Sequence, residues 1–321
     1  MDHYYKGIID THAHYLEHAF EEDRDQVLEL QREHGIIRII ENAVDLSSCA
    51  SAIALADRFD HVSAAVGIHP EDVMGLPEDW LDQIARFAGH PGVVAIGEIG
   101  LDNYWDTPRD LQHDVFTRLL ELAADLGMPV EIHDREAHEE VMEAVRKHRP
   151  FGCLHRFSGS VEMAKEAVAS GLVLGIGGAL TYKKSVDEKA VVQELPLDCF
   201  ILETDCPYLS PTGYRGKRCT SDMISIVVDE IASLKGETPE KIIEVTSDTA
   251  KRVFRLPCSA SSAGSAISGI PIWASWPASA GISSPRRTSI SRRSFPPASS
   301  PKRSCPWRIT SEPPTATART K

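Results

Sequence analysis

The first 256 residues alternate between short apolar runs and longer stretches whose apolar residues recur at helical spacing. Eight apolar runs begin about 27 residues apart, which is the length of one strand and one helix with short loops. These runs are residues 7–10, 36–41, 62–67, 93–98, 130–133, 152–155, 172–176 and 199–204. Two further helical stretches follow, at 221–235 and 239–253. Apolar runs separated by helices are typical of parallel strands that are buried on both faces.

Eight strand–helix units within roughly 250 residues predict an α/β protein folded as a (β/α)8 TIM barrel. The barrel is expected to occupy residues 1–256. An open, doubly wound parallel sheet is the alternative, because the number of strands does not by itself establish closure.

The last 65 residues, which we call the C-terminal tail (257–321), have a different composition. The tail holds ten of the chain's 20 prolines and nine of its 34 Lys and Arg residues, with a single acidic residue, Glu312. It is rich in Ser, Pro and Arg, and no helical or strand period runs through it, so we predict a disordered segment. The alternatives are a basic arm that tethers nucleic acid and a product of translation in a shifted reading frame. We assign no site to it.

Composition excludes several classes of protein. Hydrophobic residues make up 42% of the chain and charged residues 25%, and no stretch approaches the roughly 18 apolar residues of a membrane span. The first residues also lack the pattern of a signal peptide. Seven cysteines without a C-x-x-C pair exclude a zinc ribbon. We therefore expect a cytoplasmic protein with free thiols and no membrane association, and we infer no stable protein partner.

Charge limits how nucleic acid can be bound. The net charge of the whole chain is −13, but residues 1–256 alone carry −21, from 25 basic and 46 acidic residues. Because phosphate neutralisation requires Lys and Arg, such an acidic body excludes an extended nucleic-acid-binding surface. A nucleic acid must therefore be held locally, by cations or by a few arginines.

Side chains that bind metal ions lie at the ends of the predicted strands, on the face where barrel enzymes build their sites. They are His12, His14, Glu98, His133, His155 and Asp205. The alternate residues of an extended H-x-H point the same way, so His12 and His14 can share an ion. Four imidazoles and two carboxylates exceed the needs of one tetrahedral ion, whereas two divalent ions with a bridging carboxylate would use them all. The expected cofactor is a pair of zinc, manganese or magnesium ions, and the donor set does not choose among them.

Six motifs in order resemble the TatD family of metal-dependent hydrolases. They are DTHAH at 10–14, GIHP at 67–70, GEIGLD at 97–102, IHDREA at 132–137, LHRFSGS at 154–160 and ETDCPYLSP at 203–211. The resemblance runs from about Lys6 to Leu256 and includes RGKR at 215–218. It implies a (β/α)8 barrel related to the amidohydrolases. It also implies divalent-metal deoxyribonuclease activity, often 3′→5′ and exonucleolytic on single strands.

The resemblance also divides the ligands between two ions. His12, His14 and Asp205 would bind one ion, His133 and His155 the other, and Glu98 would bridge them. The chain departs from the family at CTSD (219–222), at Arg156 and in the C-terminal tail. These departures bear on substrate preference, because we expect Arg156 and the 212–220 loop to lie at the rim of the site.

We therefore expect a hydrolase of DNA phosphodiester bonds that acts on single-stranded 3′ ends through a metal-bridging hydroxide. Asp205 and Glu98 are the expected catalytic residues, with Asp205 acting both as ligand and as base. We expect Asp10 to orient a ligating histidine. The expected substrate contacts are His69, Arg135 and Arg215.

Several alternatives stay open at this point. His69 can instead support a ligand, and the arginines can form surface ion pairs. The metal pair can hydrolyse a small-molecule ester, lactone or amide, because activated water does not specify the bond that it attacks. A non-catalytic barrel is a third possibility, although it would be expected to lack at least one ligand.

Overall fold

The computed structural model describes residues 4–256, and within them eight parallel strands pair in chain order. The strands are β1 (Ile8–Ala13), β2 (Ile36–Asn42), β3 (Val62–Val66), β4 (Val93–Asp102), β5 (Val130–Arg135), β6 (Gly152–Leu154), β7 (Leu172–Ile176) and β8 (Phe200–Leu202). Nearly all of their side chains are buried, as the uninterrupted apolar runs predict.

A helix follows every strand. These helices are α1 (Arg24–Glu33), α2 (Leu46–Arg58), α3 (Trp80–Ala88), α4 (Arg109–Leu126), α5 (His138–His148), α6 (Val161–Ala169), α7 (Val186–Glu194) and α8 (Ile224–Lys235), with α9 (Pro239–Phe254) after the last unit. Local sequence fixes several helix starts. At α2 the Asp45 carboxylate accepts a hydrogen bond from the Ser48 N–H, while the Ser48 hydroxyl accepts one from the Asp45 N–H. No helix of the described residues is long and apolar enough to cross a membrane.

The sheet closes between β1 and the segment that follows β8. Ala13 forms a parallel bridge with Cys206, the Asp205 N–H donates to the His12 carbonyl (2.9 Å), and the His14 N–H donates to the Cys206 carbonyl (2.8 Å). The architecture is therefore the predicted (β/α)8 barrel and not an open sheet. Closure also brings Asp205 beside His12 and His14.

A cluster of buried apolar side chains fills part of the barrel interior. Seven strands contribute one buried residue each to a single cluster, which is possible only inside the barrel. These residues are Ile9, Ile40, Ala65, Ala95, Cys153, Val173 and Ile201. Phe254 and Leu256, at and just beyond the end of α9, pack against the same cluster.

Several predicted strand ends require correction, most of all those of β4 and β1. β4 runs to Asp102, four residues beyond Glu98, and β1 runs to Ala13, so that His12 lies within the strand. In both places the pairing register shifts, between Ile96 and Ile99 in β4 and between Asp10 and Ala13 in β1. Such shifts re-aim side chains. The predicted disorder of the C-terminal tail, and with it the proposed boundary at residue 256, concerns residues outside the described part of the chain.

Candidate metal centre

Glu98 lies between two pairs of histidines. Its Oε2 is 3.4 Å from Nε2 of His12 and 3.5 Å from Nε2 of His14. Its Oε1 is 2.7 Å from Nδ1 of His133 and 3.0 Å from Nε2 of His155. Each carboxylate oxygen therefore faces a different histidine pair.

Asp205 completes the side of the cluster occupied by His12 and His14. Its Oδ1 lies 3.4 Å from Nε2 of His14, and its side chain is 16% exposed. Asp205 has a left-handed backbone, with φ of 58°. Burial by itself would raise the pKa of the Asp205 carboxyl, but the hydrogen bond from His14 and the charge of His155 outweigh it and lower the pKa to about 2. The carboxylate is thus ionised at neutral pH.

The donor set fits divalent metal ions. Three overlapping sets of described side chains hold nitrogen and oxygen atoms within 4.8 Å of one another: His12, His14 and Glu98; His12, His155 and Asp205; and His69, Glu98 and His133. Ring nitrogens also converge within each histidine pair, at 3.2 Å between His12 and His14 and 3.3 Å between His133 and His155. At these distances, the lone pairs of two facing ring nitrogens would repel each other unless a proton or a metal cation lay between them. Mixed nitrogen and oxygen ligation suits borderline divalent ions.

The carboxylates make the cluster attractive to positive charge. Burial and the charge of His155 act to lower the pKa of His12, but Glu98 and Glu131 outweigh them and raise it to about 10. Burial would raise the pKa of Glu98, yet the surrounding histidines hold it well below its usual range.

A second ring of acceptors orients the imidazoles. Glu131 Oε2 is 3.3 Å from Nδ1 of His12, the Asn42 carbonyl is 3.0 Å from Nδ1 of His14, and Asp102 Oδ2 is 3.0 Å from Nε2 of His133. Glu203 Oε1 lies 3.7 Å from Nδ1 of His155, which is beyond hydrogen-bond distance. Such partners fix the ring orientation and the tautomer of a metal ligand.

The pattern of the sequence does not by itself predict these acceptors. The signal for Glu131 was a charged residue inside the short apolar run VEIH (130–133). Asp102 and Glu203 stand at the end of GEIGLD and at the start of ETDCPYLSP.

The expectation that Asp10 orients a ligating histidine is wrong. Its carboxylate accepts hydrogen bonds from the N–H (3.0 Å) and hydroxyl (2.7 Å) of Thr204, from the Ser221 hydroxyl (2.6 Å) and from the backbone N–H of His12 (3.3 Å). All of these donors are backbone or hydroxyl groups, and none belongs to an imidazole. Asp10 therefore ties β1 to the segment after β8, since its buried carboxylate satisfies donors from both.

His69 lies against the same cluster. Its Nε2 is 3.7 Å from Glu98 Oε1, while its Nδ1 accepts a hydrogen bond from the Glu71 N–H at 3.2 Å. Burial lowers the pKa of His69 to about 3, so the ring is neutral. A neutral imidazole that accepts at Nδ1 carries its proton at Nε2. His69 therefore presents an N–H donor to the cluster.

Each of the two predicted arginine contacts lies over an aromatic ring. Arg135 ends β5 and lies 3.9 Å above the centroid of the Tyr104 ring, while Arg215 lies 4.5 Å above that of Tyr182. No carboxylate oxygen of residues 4–256 lies within 4.0 Å of either guanidinium, although the charge of Arg135 acts on the carboxyl groups of Asp102 and Glu71. Arg156 lines a pocket together with Asp205.

Comparison with known proteins agrees with this geometry. Residues 9–255 match the family model described as TatD related DNase. YabD of Bacillus subtilis, named an uncharacterised metal-dependent hydrolase, is 36% identical over 253 residues, which cover 78% of this chain and 99% of YabD. A protein of Cronobacter sakazakii named 3′-5′ ssDNA/RNA exonuclease TatD is 31% identical over 245 residues, covering 73% of this chain and 93% of that protein.

A solved structure extends the likeness to three dimensions. The crystal structure of YjjV, a TatD homologue from Escherichia coli K12, superposes with a TM-score of 0.75 at 29% identity. The superposition covers 78% of this chain and 99% of YjjV. With the barrel, the histidine–carboxylate cluster and the family model in agreement, the chain belongs to the TatD family of metal-dependent hydrolases.

Proposed function

We propose that the protein hydrolyses phosphodiester bonds of DNA and removes nucleotides from the 3′ ends of single strands. The observation that carries this proposal is the position of Glu98, with one carboxylate oxygen toward His12 and His14 and the other toward His133 and His155. Family relatives named 3′-5′ ssDNA/RNA exonuclease support the choice of bond.

The residues are assigned to two divalent ions, zinc, manganese or magnesium. His12, His14 and Asp205 would hold one ion, His133 and His155 the other, and Glu98 both. When bound, such ions supply a water of lowered pKa and stabilise negative charge on the phosphate.

Protein side chains accept the proton of the attacking water and bind the phosphates. The ionised Asp205 carboxylate lies at the exposed edge of the cluster, where it accepts a hydrogen bond from the attacking water and takes up its proton. His69 donates a hydrogen bond from its Nε2–H to a non-bridging phosphate oxygen. Arg135 and Arg215, which lie over the rings of Tyr104 and Tyr182, offer planar guanidinium donors to the flanking phosphates.

The charge of the barrel region favours an end of a strand over the middle of a duplex. With a net charge of −21 over residues 1–256, contacts to phosphates must be few and local.

The five cysteines within the described residues are buried free thiols. This cysteine chemistry supports action in the cytoplasm.

The test is the digestion of a 5′-labelled single-stranded oligonucleotide by metal-loaded protein, with Asp205→Asn alongside. We expect a ladder of products that shorten from the 3′ end, and a loss of this ladder in the variant. A strand blocked at its 3′ end by phosphorothioate linkages serves as the control and should resist digestion. If the metal-loaded protein leaves the strand intact but hydrolyses members of a panel of esters, lactones and amides, the proposed substrate is wrong.

A further inference from the structure

Two aromatic side chains and one guanidinium form a corner in the loop between β4 and α4. The rings of Tyr104 and Trp105 are almost perpendicular, at 87°, with centroids 4.9 Å apart. The Arg135 guanidinium lies over both rings, 3.9 Å from the centroid of Tyr104 and 5.9 Å from that of Trp105. We call these three residues the aromatic corner.

The aromatic corner is attached directly to the metal centre. The Tyr104 N–H donates to Oδ1 of Asp102 at 2.9 Å, and Oδ2 of the same carboxylate is 3.0 Å from Nε2 of His133. The neighbouring Asn103 N–H donates to the Arg135 carbonyl at 2.9 Å. One carboxylate thus separates the loop from a ligand of the metal centre, so the position of the corner relative to Glu98 is fixed.

Part of the Tyr104 ring remains available to a ligand. Tyr104 is 51% exposed, although Asp102, two residues before it, is buried. The corner is already occupied by its own cation, so a second cation would be repelled. A flat aromatic group that carries a negative charge suits it, because the rings offer stacking surface and the guanidinium offers donors.

We propose that the aromatic corner binds a base of the single strand being cleaved, with Arg135 holding the adjoining phosphate. This inference rests on the proposed nuclease function and extends it by naming the subsite that selects single strands. Bases in a duplex are stacked on each other and cannot reach Tyr104, whereas unpaired bases can. Because every base has a π-face, stacking of this kind tolerates all four bases.

Binding provides a test that does not depend on catalysis. The anisotropy of a labelled oligo(dT) is measured with the Asp205→Asn protein and with the same protein carrying Tyr104→Ala. Stacking on one aromatic side chain corresponds to a change in Kd of about tenfold, within a range of roughly 5- to 150-fold. Tyr104→Phe keeps the ring and should restore the original Kd.

The chain offers a matched control at the other end of the barrel. Phe151, 37% exposed, precedes β6 and lies 5.6 Å from the guanidinium carbon of Arg255. It is therefore an exposed cation–π pair far from the strand ends that carry the site. Phe151→Ala should leave the Kd for oligo(dT) unchanged.

Abasic oligonucleotides identify the interaction as stacking. One abasic residue is placed in turn at each of the last three 3′ positions. The Asp205→Asn protein should bind one of these abasic strands about tenfold more weakly than oligo(dT). When this protein also carries Tyr104→Ala, the difference between the two strands should disappear.

Two results overturn the aromatic corner: a weaker binding of the abasic strand that persists in the Tyr104→Ala variant, or a Kd for oligo(dT) that is unchanged in that variant. Absence of oligonucleotide binding by every form overturns the corner and the nuclease together, whereas binding with a Tyr104-dependent penalty but no digestion by the wild type overturns the nuclease alone.

Discussion

The carboxylate of Glu131 lies 3.3 Å from Nδ1 of His12, on the opposite side of the ring from Glu98, which is 3.4 Å from Nε2. When His12 is neutral, an acceptor at Nδ1 places the ring proton there and leaves the Nε2 lone pair facing the centre. Burial raises the pKa of Glu131 to about 7 because it disfavours the charged carboxylate, whereas the hydrogen bond from His12 acts in the opposite direction.

Replacement of Glu131 should weaken the metal centre without removing a ligand. In Glu131→Ala, His12 loses its orienting acceptor, and we expect the affinity for the ion assigned to His12 and His14 to fall by about 10- to 100-fold. Competition with a chromogenic chelator measures this affinity. Glu131→Gln, whose amide oxygen can accept the same hydrogen bond, should recover part of the loss. An Ala variant with wild-type affinity would show that Glu131 has no such role.

Removal of the shared carboxylate should change how many ions the protein holds. Glu98→Ala deletes the oxygens that face both histidine pairs, so we expect the stoichiometry to fall from two ions per chain to one or fewer. Mass spectrometry of the purified, dialysed protein gives the metal content, and circular dichroism confirms that the variant is folded. Unchanged occupancy by two ions would exclude Glu98 as the bridge.

Loss of the Asp205 carboxylate should affect turnover far more than folding. Asp205→Asn keeps the shape of the side chain but removes the base, and we expect a decrease in kcat of about 10²- to 10⁴-fold. Initial rates on a single-stranded oligonucleotide, with metal content measured on the same sample, separate chemistry from metal loss. Wild-type turnover in a folded and metal-loaded variant would defeat the assigned role.

Asp10 should matter for stability, because it accepts hydrogen bonds from Thr204 and Ser221 where the barrel closes. Asp10→Ala leaves these buried donors without an acceptor, and we expect the free energy of unfolding to decrease by about 3 kcal/mol. Urea denaturation measures the change. Asp23→Ala is the control, since it removes only a partly exposed ion pair with Arg218 and should cost less than about 1 kcal/mol. Equal losses in the two variants would contradict the closing role of Asp10.

The sequence was sufficient to predict the barrel and to identify the six candidate metal ligands, because both depend on local patterns. Apolar runs mark strands, and histidines or carboxylates at strand ends mark the face of the site. The acceptors behind the ligands depend on register instead. Asp102 reaches His133 because β4 extends beyond the predicted end, so that Asp102 pairs with Arg135 and Gly100 with His133. No local pattern contains that alignment.

The assignment of Asp10 failed for a related reason. A carboxylate two residues before a ligating histidine has the spacing of a supporting acceptor, but its side chain points to the seam with Thr204. The residue that meets His12 belongs to β5, more than a hundred positions along the chain. Which of several buried acids faces which ring is therefore set by strand pairing around the barrel.

The position of the metal ions themselves tests the assignment of Glu98 most directly. We would crystallise the protein with manganese or zinc and record anomalous diffraction at the absorption edge of the metal. We expect two anomalous peaks about 3.5–4 Å apart, one beside His12 and His14 and the other beside His133 and His155, with the Glu98 carboxylate between them. A single peak, or two peaks of which only one contacts Glu98, would contradict the shared-carboxylate centre.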